Sequence, residues 1–212
     1  MPVLAYIIVA VAAYLLGSIP TGFLVARAKG IDIRTVGSGN IGATNVFRIV
    51  GKPAGIFVLL MDALKGFAAC WWLVNLVVQL FSITPGEIDC LRIIAGVAVV
   101  LGHNYTCWLK FKGGKGIATS TGVLAALVPL AMLICLAVWV ILFALTRYAS
   151  VASIAAAFGL PFATWFTTRD WTLTLVTGAL GVLAIYKHKA NIVRLRNGTE
   201  KQINFKTKGN VT

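Results

Sequence analysis

Two glycine-rich segments carry the side chains best suited to chemistry in this chain. The first, residues 37–48, reads GSGNIGATNVFR. Its side-chain hydrogen-bond donors are Ser38, Asn40, Thr44, Asn45 and Arg48. Because glycines such as Gly39 let the backbone approach an anion closely, the segment is predicted to bind phosphate. The alternative is an ordinary loop with basic anchors for lipid headgroups.

The same segment also matches the dinucleotide-binding pattern G-x-G-x-x-G, and Asp62 follows at the spacing of a ribose-binding acid. That pattern is informative only after a β-strand and within a βαβ unit. Here an uncharged apolar run, residues 3–26, precedes the glycines, and Asp62 lies inside the next apolar run. We therefore interpret the match as coincidental.

The second segment, residues 111–116, reads FKGGKG and is followed by IATS. It is not a Walker A loop, because Gly116 rather than Ser or Thr follows Lys115. A glycine turn that leads into a helix N-terminus still presents free N–H groups and the positive end of the helix dipole. The predicted phosphate-binding residues are Gly113, Gly114, Lys115 and Gly116. The alternative is a flexible turn.

Three other titratable side chains, those of Asp62, Lys65 and Glu200, lie outside these two segments. Asp62 and Lys65 are three residues apart in an apolar run, so a helix would place them on one face, where they can pair. Charges within a membrane segment usually serve function. A pair this local favours structural support of a site, with direct catalysis by Asp62 as the alternative. Glu200, the one carboxylate of the cationic tail, indicates a structural clamp.

The two histidines each have an asparagine close by in the sequence. His103 is followed by Asn104, and His188 by Asn191. His188 follows the last apolar run and adjoins basic segments, so it is expected to contact a ligand. His103 is assigned to substrate binding, and a hydrogen-bonded structural role is its alternative.

An all-α integral membrane protein is predicted to position these residues. The chain has 212 residues and is 59% hydrophobic, with a mean hydropathy of +0.90. Its uncharged runs reach about 20 residues or more, which suits membrane-spanning helices. Seven transmembrane helices are predicted, at about 3–26, 53–80, 91–109, 117–127, 129–146, 149–167 and 171–186.

The segment 117–127 is predicted to be a half-helix. Pro129 cannot donate a backbone N–H and favours the first turn of a new helix, so the uncharged stretch divides there. At 1.5 Å per residue, the first piece spans about 17 Å, which is less than the roughly 30 Å of a bilayer core.

Basic residues predict the orientation of the chain. Sixteen of the nineteen Lys and Arg lie within residues 27–52, 110–115, 147 and 187–208. By the positive-inside rule these segments are cytoplasmic, with the N-terminus out and the C-terminus in. We predict no cleaved signal segment. The expected organisation is a single polytopic membrane domain, residues 1–212, with cytoplasmic loops at about 27–52, 110–116 and 187–212.

Composition also argues against several functional classes. Nucleic-acid binding is disfavoured because no basic stretch has interleaved aromatic residues or a known motif. No metal site is predicted, since the four cysteines are scattered and the six acidic residues are dispersed. A phosphate transporter is an alternative class, but it would need a midplane site reachable from both sides rather than polar segments on one side. A scaffold without chemistry would leave the glycine segments unexplained.

The chain resembles the bacterial acyl-phosphate:glycerol-3-phosphate acyltransferase family in three segments, GSGNIGATNVFR, GHNYTCWLKFKGGKGIAT and HKANIVRLRNGTE, and also in Met61–Gly66. The resemblance implies a bacterial plasma-membrane enzyme with seven helices and an active site facing the cytoplasm. Its reaction would move a fatty acyl group from acyl phosphate to the 1-hydroxyl of glycerol 3-phosphate, giving lysophosphatidic acid and phosphate. Beyond these substrates and membrane lipid, no cofactor and no obligate protein partner are expected.

The resemblance also implies roles for single residues. The implied catalytic residues are Ser38, Arg48, Lys115, His188 and Asn191. Residues Trp108 and Val193 stand five positions after the two histidines, so no His-x-x-x-x-Asp box is present. This argues against the type of acyltransferase that uses acyl-CoA or acyl carrier protein.

Acyl phosphate is a mixed anhydride with a good leaving group, so positioning and oxyanion donors can lower the barrier without a nucleophile triad. The acceptor of the hydroxyl proton stays open at this point. Our hypothesis is a phosphate oxygen of a substrate, because a phosphate monoester has a second pKa of about 6. The alternative is His188 or His103 as general base.

Overall fold

The computed structural model describes residues 2–203, so residues 204–212 of the predicted tail lie outside the described residues. The described chain contains no strand. Its helices are α1 Pro2–Ser18, α2 Thr21–Arg27, α3 Ala43–Ile49, α4 Lys52–Ala68, α5 Val74–Leu80, α6 Pro85–Asn104, α7 Ile117–Leu127, α8 Pro129–Thr146, α9 Ala149–Thr168, α10 Trp171–Lys187 and α11 Lys189–Arg196. A π-helical turn, Ala69–Leu73, joins α4 to α5.

Within residues 2–203, four stretches are long and apolar enough to cross a membrane: Val3–Arg27, Lys52–Leu80, Pro129–Thr146 and Ala149–Thr168. Two shorter apolar helices, α7 and α10, accompany them. The all-α class is confirmed, and the predicted bounds of the short helix and of the helix that begins at Pro129 are confirmed as well. The count of seven spans and the orientation stay predictions.

Three features of the helices differ from the predictions. The expected helix 3–26 is broken after Ser18, because Pro20 lacks a backbone N–H. The expected helix 91–109 instead begins at Pro85, behind a capping box formed by Thr84 and Glu87, and ends at Asn104. Short helices α3 and α11 also form within segments that were predicted only as loops.

Small residues let the helices around α4 and α6 approach closely. Gly66 of α4 and Gly122 of α7 each face a backbone carbonyl of the other helix, and an added Cβ would collide with it. Gly17 of α1 and Gly102 of α6 make the same kind of contact. Such contacts are typical of helix packing in membranes, where small residues bring backbones together. They fix the helix ends from which the polar segments emerge.

A second group of helices, α8, α9 and α10, packs beside α7. Its apolar core includes Val128, Ala131, Cys135, Leu160 and Ala163. α7 contacts both groups, and its first residues, Ile117 and Ala118, line a cavity together with residues of α3, α4, α8 and α9. Polar segments from both groups therefore converge at this end of α7.

Candidate active site

The first glycine segment is held in shape by one buried amide, that of Asn45. Asn45 Oδ1 accepts a hydrogen bond of 2.9 Å from the Ser38 backbone N–H. Its Nδ2 donates at 3.2, 3.1 and 3.0 Å to the carbonyl oxygens of Ile33, Val36 and Asn40. Gly37, with a φ of 64°, leaves room for this amide that a Cβ would fill. The Asn45 side chain therefore organises the loop and leaves Ser38 and Thr44 on its pocket side.

The second glycine segment folds back onto the end of α6. Gly113 N–H donates to the Asn104 carbonyl at 3.2 Å, and Gly114 N–H donates to the His103 carbonyl at 3.0 Å. Gly114 also rests against the His103 ring, where a Cβ would collide. Gly116 then adopts the left-handed conformation, with a φ of 81°, and α7 begins. The first N–H groups of α7 have no partner within the helix, so they can bind an anion.

His188 ends α10 with its ring held by the helix itself. Its Nδ1 lies 2.8 Å from the Ala184 carbonyl oxygen. A carbonyl only accepts hydrogen bonds, so Nδ1 carries the proton and Nε2 is left as an acceptor. Burial, together with the nearby Lys115 ammonium, lowers the pKa of His188 to about 4. The ring is therefore neutral at pH 7.

A chain of hydrogen bonds joins the second segment to the C-terminal one. Lys115 Nζ donates to Asn191 Oδ1 at 2.5 Å, and Asn191 Nδ2 donates to Glu200 Oε1 at 2.6 Å. Arg194 Nε and Ser150 Oγ donate to the same carboxylate at 2.7 and 2.9 Å. Burial alone would raise the pKa of Glu200, but these three donors keep it below the usual value, so the group is a carboxylate.

Burial lowers the pKa of the Lys115 ammonium to about 8, although Glu200 opposes the shift. Arg48, on α3, donates through Nη2 to the Lys201 carbonyl at 2.7 Å. Its Nε is buried and has no hydrogen-bond partner among the described residues. Arg48 and Lys115 thus present two cations to the same space, each with capacity to hold an anion.

These groups line one cavity of about 130 Å³. Of the residues predicted for the site, the wall contains Ser38, Asn40, Thr44, Asn45, Arg48, Asp62, His103, Lys115, Gly116, His188, Asn191 and Glu200. The predicted residues that do not line it are Gly39, Gly113, Gly114 and Lys65. Three segments far apart in the sequence therefore meet at one cavity.

An apolar groove adjoins the polar cavity between α7, α8, α9 and α10. The cavity and the groove share the wall residues Ile117, Trp139 and Ser153. At this junction Trp139 Nε1 donates to Ser153 Oγ at 3.0 Å, tying α8 to α9. Beyond the junction the wall is mainly apolar, with Leu124, Met132, Cys135, Leu136, Ala156, Ala157, Leu160 and Leu180. The arrangement suits a molecule with a charged head and an apolar tail.

Comparisons with known proteins agree with this geometry. A family model for glycerol-3-phosphate acyltransferase matches residues 7–198. The glycerol-3-phosphate acyltransferases of Fusobacterium nucleatum and Geobacter sulfurreducens are 40% and 46% identical to this chain, covering 95% and 92% of it and 100% and 96% of their own lengths. The chain belongs to the glycerol-3-phosphate acyltransferase family.

A solved structure agrees with the family membership. The glycerol 3-phosphate form of PlsY, an integral membrane glycerol 3-phosphate acyltransferase, superposes with a TM-score of 0.83 at 39% identity. The match covers 94% of this chain and 96% of that one. The present chain is therefore an integral membrane protein with the same all-helical fold as that acyltransferase.

Among the wall residues with hydrogen-bonding side chains, sequence reasoning missed three in this acyltransferase: Trp139, Ser150 and Ser153. Trp139 lies in an apolar run with no polar neighbour in sequence, so nothing distinguishes it from a lipid-facing aromatic residue. Ser150 and Ser153 are three residues apart at the start of α9, and this spacing could have indicated one polar helix face. Among the described residues of the acyltransferase, no group of three His, Cys, Asp or Glu could hold a metal ion.

Asp62 and Lys65 form a buried ion pair of 2.8 Å, in which Asp62 lines the cavity and Lys65 does not. Lys65 Nζ also donates to the Ile19 carbonyl at 3.0 Å, at the break between α1 and α2. Thr21 Oγ1 donates to Asp62 Oδ1 at 3.2 Å, and His103 Nδ1 lies 3.7 Å from the same oxygen. The pair therefore connects α4 to the α1–α2 break and sits beside a histidine of the cavity wall.

Removing one charge of this pair is expected to destabilise the acyltransferase more than removing both. D62N or K65M alone leaves a buried polar group or charge without its partner, at a cost of about 3–5 kcal/mol for a broken buried pair. The double variant D62N/K65M should recover at least half of that loss. Thermal unfolding in detergent measures the effect, with K29Q at an exposed site as control. A double variant as unstable as the sum of the single variants would contradict the pairing.

Proposed function

We propose that this enzyme transfers a fatty acyl group from acyl phosphate to the 1-hydroxyl of glycerol 3-phosphate, giving lysophosphatidic acid and phosphate. The observation that carries the proposal is the cavity rich in cations and donors that opens directly into an apolar groove. An acyl phosphate has a phosphate head and an apolar tail joined at the reacting carbonyl. The junction at Ile117, Trp139 and Ser153 would then lie close to that carbonyl.

The phosphate groups of both substrates suit the polar cavity. Arg48 can bind phosphate through a planar fork of donors, whereas Lys115 acts as a point charge. The first N–H groups of α7 and the Ser38 hydroxyl add neutral donors on the same wall. We assign phosphate binding to Arg48, Lys115, Gly116 and the first turn of α7, and we assign Asn191 and Glu200 to holding Lys115 in place.

The reaction forms a bond between the 1-hydroxyl oxygen of glycerol 3-phosphate and the acyl carbonyl carbon. The bond from that carbon to the phosphate oxygen breaks, and inorganic phosphate leaves. Preorganised donors aimed at the developing oxyanion lower the barrier because they need no reorganisation during the reaction. Lys115 and the Ser38 hydroxyl are suitable donors for this purpose on the cavity wall.

A phosphate oxygen of a substrate is the proposed acceptor of the hydroxyl proton. His188, with a pKa of about 4, is a weaker base than a phosphate monoester, whose second pKa is about 6. The free Nε2 of His188 can instead accept a hydrogen bond from the 1-hydroxyl and orient it for attack. His103 lies against Gly114 and near Asp62, which supports a positioning role.

We further propose seven membrane spans, the N-terminus outside and the active site facing the cytoplasm of a bacterial plasma membrane. The convergence of residues 37–48, 113–116 and 188–200 on one cavity requires all three segments to lie on one side of the membrane. These segments belong to the most basic parts of the sequence, and basic loops favour the cytoplasmic side. The four long spans together with α6, α7 and α10 supply seven crossings.

The choice of donor tests the proposed reaction. Purified enzyme without added divalent ions is expected to acylate glycerol 3-phosphate from palmitoyl phosphate, and to give no product above background from palmitoyl-CoA. R48A should lower kcat/KM by about 100-fold or more, because a charged donor to the substrate phosphate is lost. R27A, which removes an exposed arginine, is the matched control. Equal rates with both donors would contradict the proposal.

The pKa of Lys115 predicts a pH dependence of substrate affinity. The ammonium is charged below about 8 and loses its charge as the pH rises through that value. KM for glycerol 3-phosphate should therefore increase above pH 8. K115R keeps its charge throughout, so its KM should stay flat over the same range. Steady-state kinetics at several pH values measures this, and K112R, at an exposed neighbouring lysine, should behave like the wild type. A K115R profile that rises as steeply as the wild type would contradict the assignment.

A further inference from the structure

A short exposed turn precedes the second glycine segment, and the reaction described above does not use it. This turn, residues 107–112, is called the knob below. It consists of a 3₁₀ turn, Cys107–Leu109, followed by Lys110 and Phe111 in the left-handed conformation with φ of 53° and 59°. Two consecutive residues other than glycine with a positive φ are strained, so the surrounding contacts must hold them in this conformation.

The contacts that hold the knob leave its two aromatic side chains exposed on the protein surface. Leu109 is buried in a core shared with residues of α2 and α4. The Thr106 hydroxyl donates to the Ser18 carbonyl at 2.6 Å, and the Thr106 carbonyl accepts from Phe111 N–H at 3.0 Å. Trp108 and Phe111 are 64% and 62% exposed. The knob is therefore a fixed turn that presents two large aromatic rings.

The charged side chains within the knob are all positive. Lys110 and Lys112 are both exposed and flank Phe111. Neither ammonium forms an ion pair with a carboxylate among the described residues. The sequence contains no acidic residue between Asp89 and Asp170. Two aromatic rings beside these two lysines match the interface of a bilayer whose headgroups carry negative charge.

We propose that the knob docks into the headgroup layer of an anionic leaflet, with Trp108 and Phe111 at the boundary of the acyl chains and the two lysines on lipid phosphates. The occupant is anionic phospholipid. Each lysine near such a surface contributes roughly a fivefold preference for it. This docking goes beyond the acyl transfer and does not depend on the identity of the donor.

Docking here would also fix the depth of the second glycine segment in the membrane. The knob continues directly into Gly113 and Gly114, whose N–H groups are bonded to the end of α6. Because few backbone torsions separate Phe111 from Gly113, movement of the knob would move the glycine turn. The anionic surface and the start of α7 are thus mechanically linked.

Fluorescence of Trp108 tests the proposal in the full chain. The wild-type spectrum minus that of W108F isolates Trp108 from the other tryptophans, in nanodiscs of phosphatidylcholine with increasing phosphatidylglycerol. We expect lipids brominated near the headgroup to quench Trp108 more strongly than aqueous acrylamide does. Quenching by brominated lipid should rise with phosphatidylglycerol and fall again at high salt, because salt screens the lysines.

K110Q/K112Q should lose at least half of the phosphatidylglycerol-dependent increase in quenching. R27Q/K29Q, which removes two exposed cations outside the knob, should keep it. If acrylamide quenches Trp108 freely and phosphatidylglycerol has no effect, the knob faces water and suits a protein partner instead, which overturns the proposal. An equal loss in both double variants would also overturn it, because the effect would then come from overall charge.

Discussion

The candidate active site depends on the hydrogen bonds that the Glu200 carboxylate accepts. It accepts hydrogen bonds from Asn191, Arg194 and Ser150, and Asn191 in turn holds Lys115. These bonds join the second glycine segment, the C-terminal segment and the start of α9. The carboxylate also lies among cations that would otherwise repel one another, since its charge acts on both Lys115 and Arg48. Without this carboxylate, repulsion between Lys115 and Arg48 would push apart the segments that carry them.

A second constraint comes from inside the helix bundle. The break of the first apolar run at Pro20 leaves the Ile19 carbonyl available, and Lys65 binds this carbonyl while it pairs with Asp62. A buried pair contributes little net stability unless further hydrogen bonds satisfy its members. Here the extra bonds come from Thr21 and from the break itself. The break and the buried charges therefore explain each other, and together they hold α2 against α4.

Much of this arrangement could be predicted from the sequence because it follows from local chemistry. Uncharged runs gave the helices, Pro129 gave the start of α8, and the two glycine segments together with the C-terminal segment gave a large part of the cavity wall. The break after Ser18 was missed although Pro20 marks it, because the uncharged run continues past the proline and was interpreted as one helix. The structural use of the Asn45 amide and the junction formed by Trp139 and Ser153 were also missed. Each depends on tertiary contacts between residues whose sequence neighbours carry no signal.

The proposed reaction requires that the cavity bind the phosphate head while the adjoining groove binds the acyl tail. A structure of the enzyme with an unreactive acyl phosphonate would locate both parts of the donor. We expect phosphonate oxygens within hydrogen-bond distance of Arg48, Lys115 and the first N–H groups of α7. We also expect the alkyl chain to pass Trp139 into the groove between α8 and α9. A phosphonate bound away from these residues, or a tail outside the groove, would rule out this mode of donor binding.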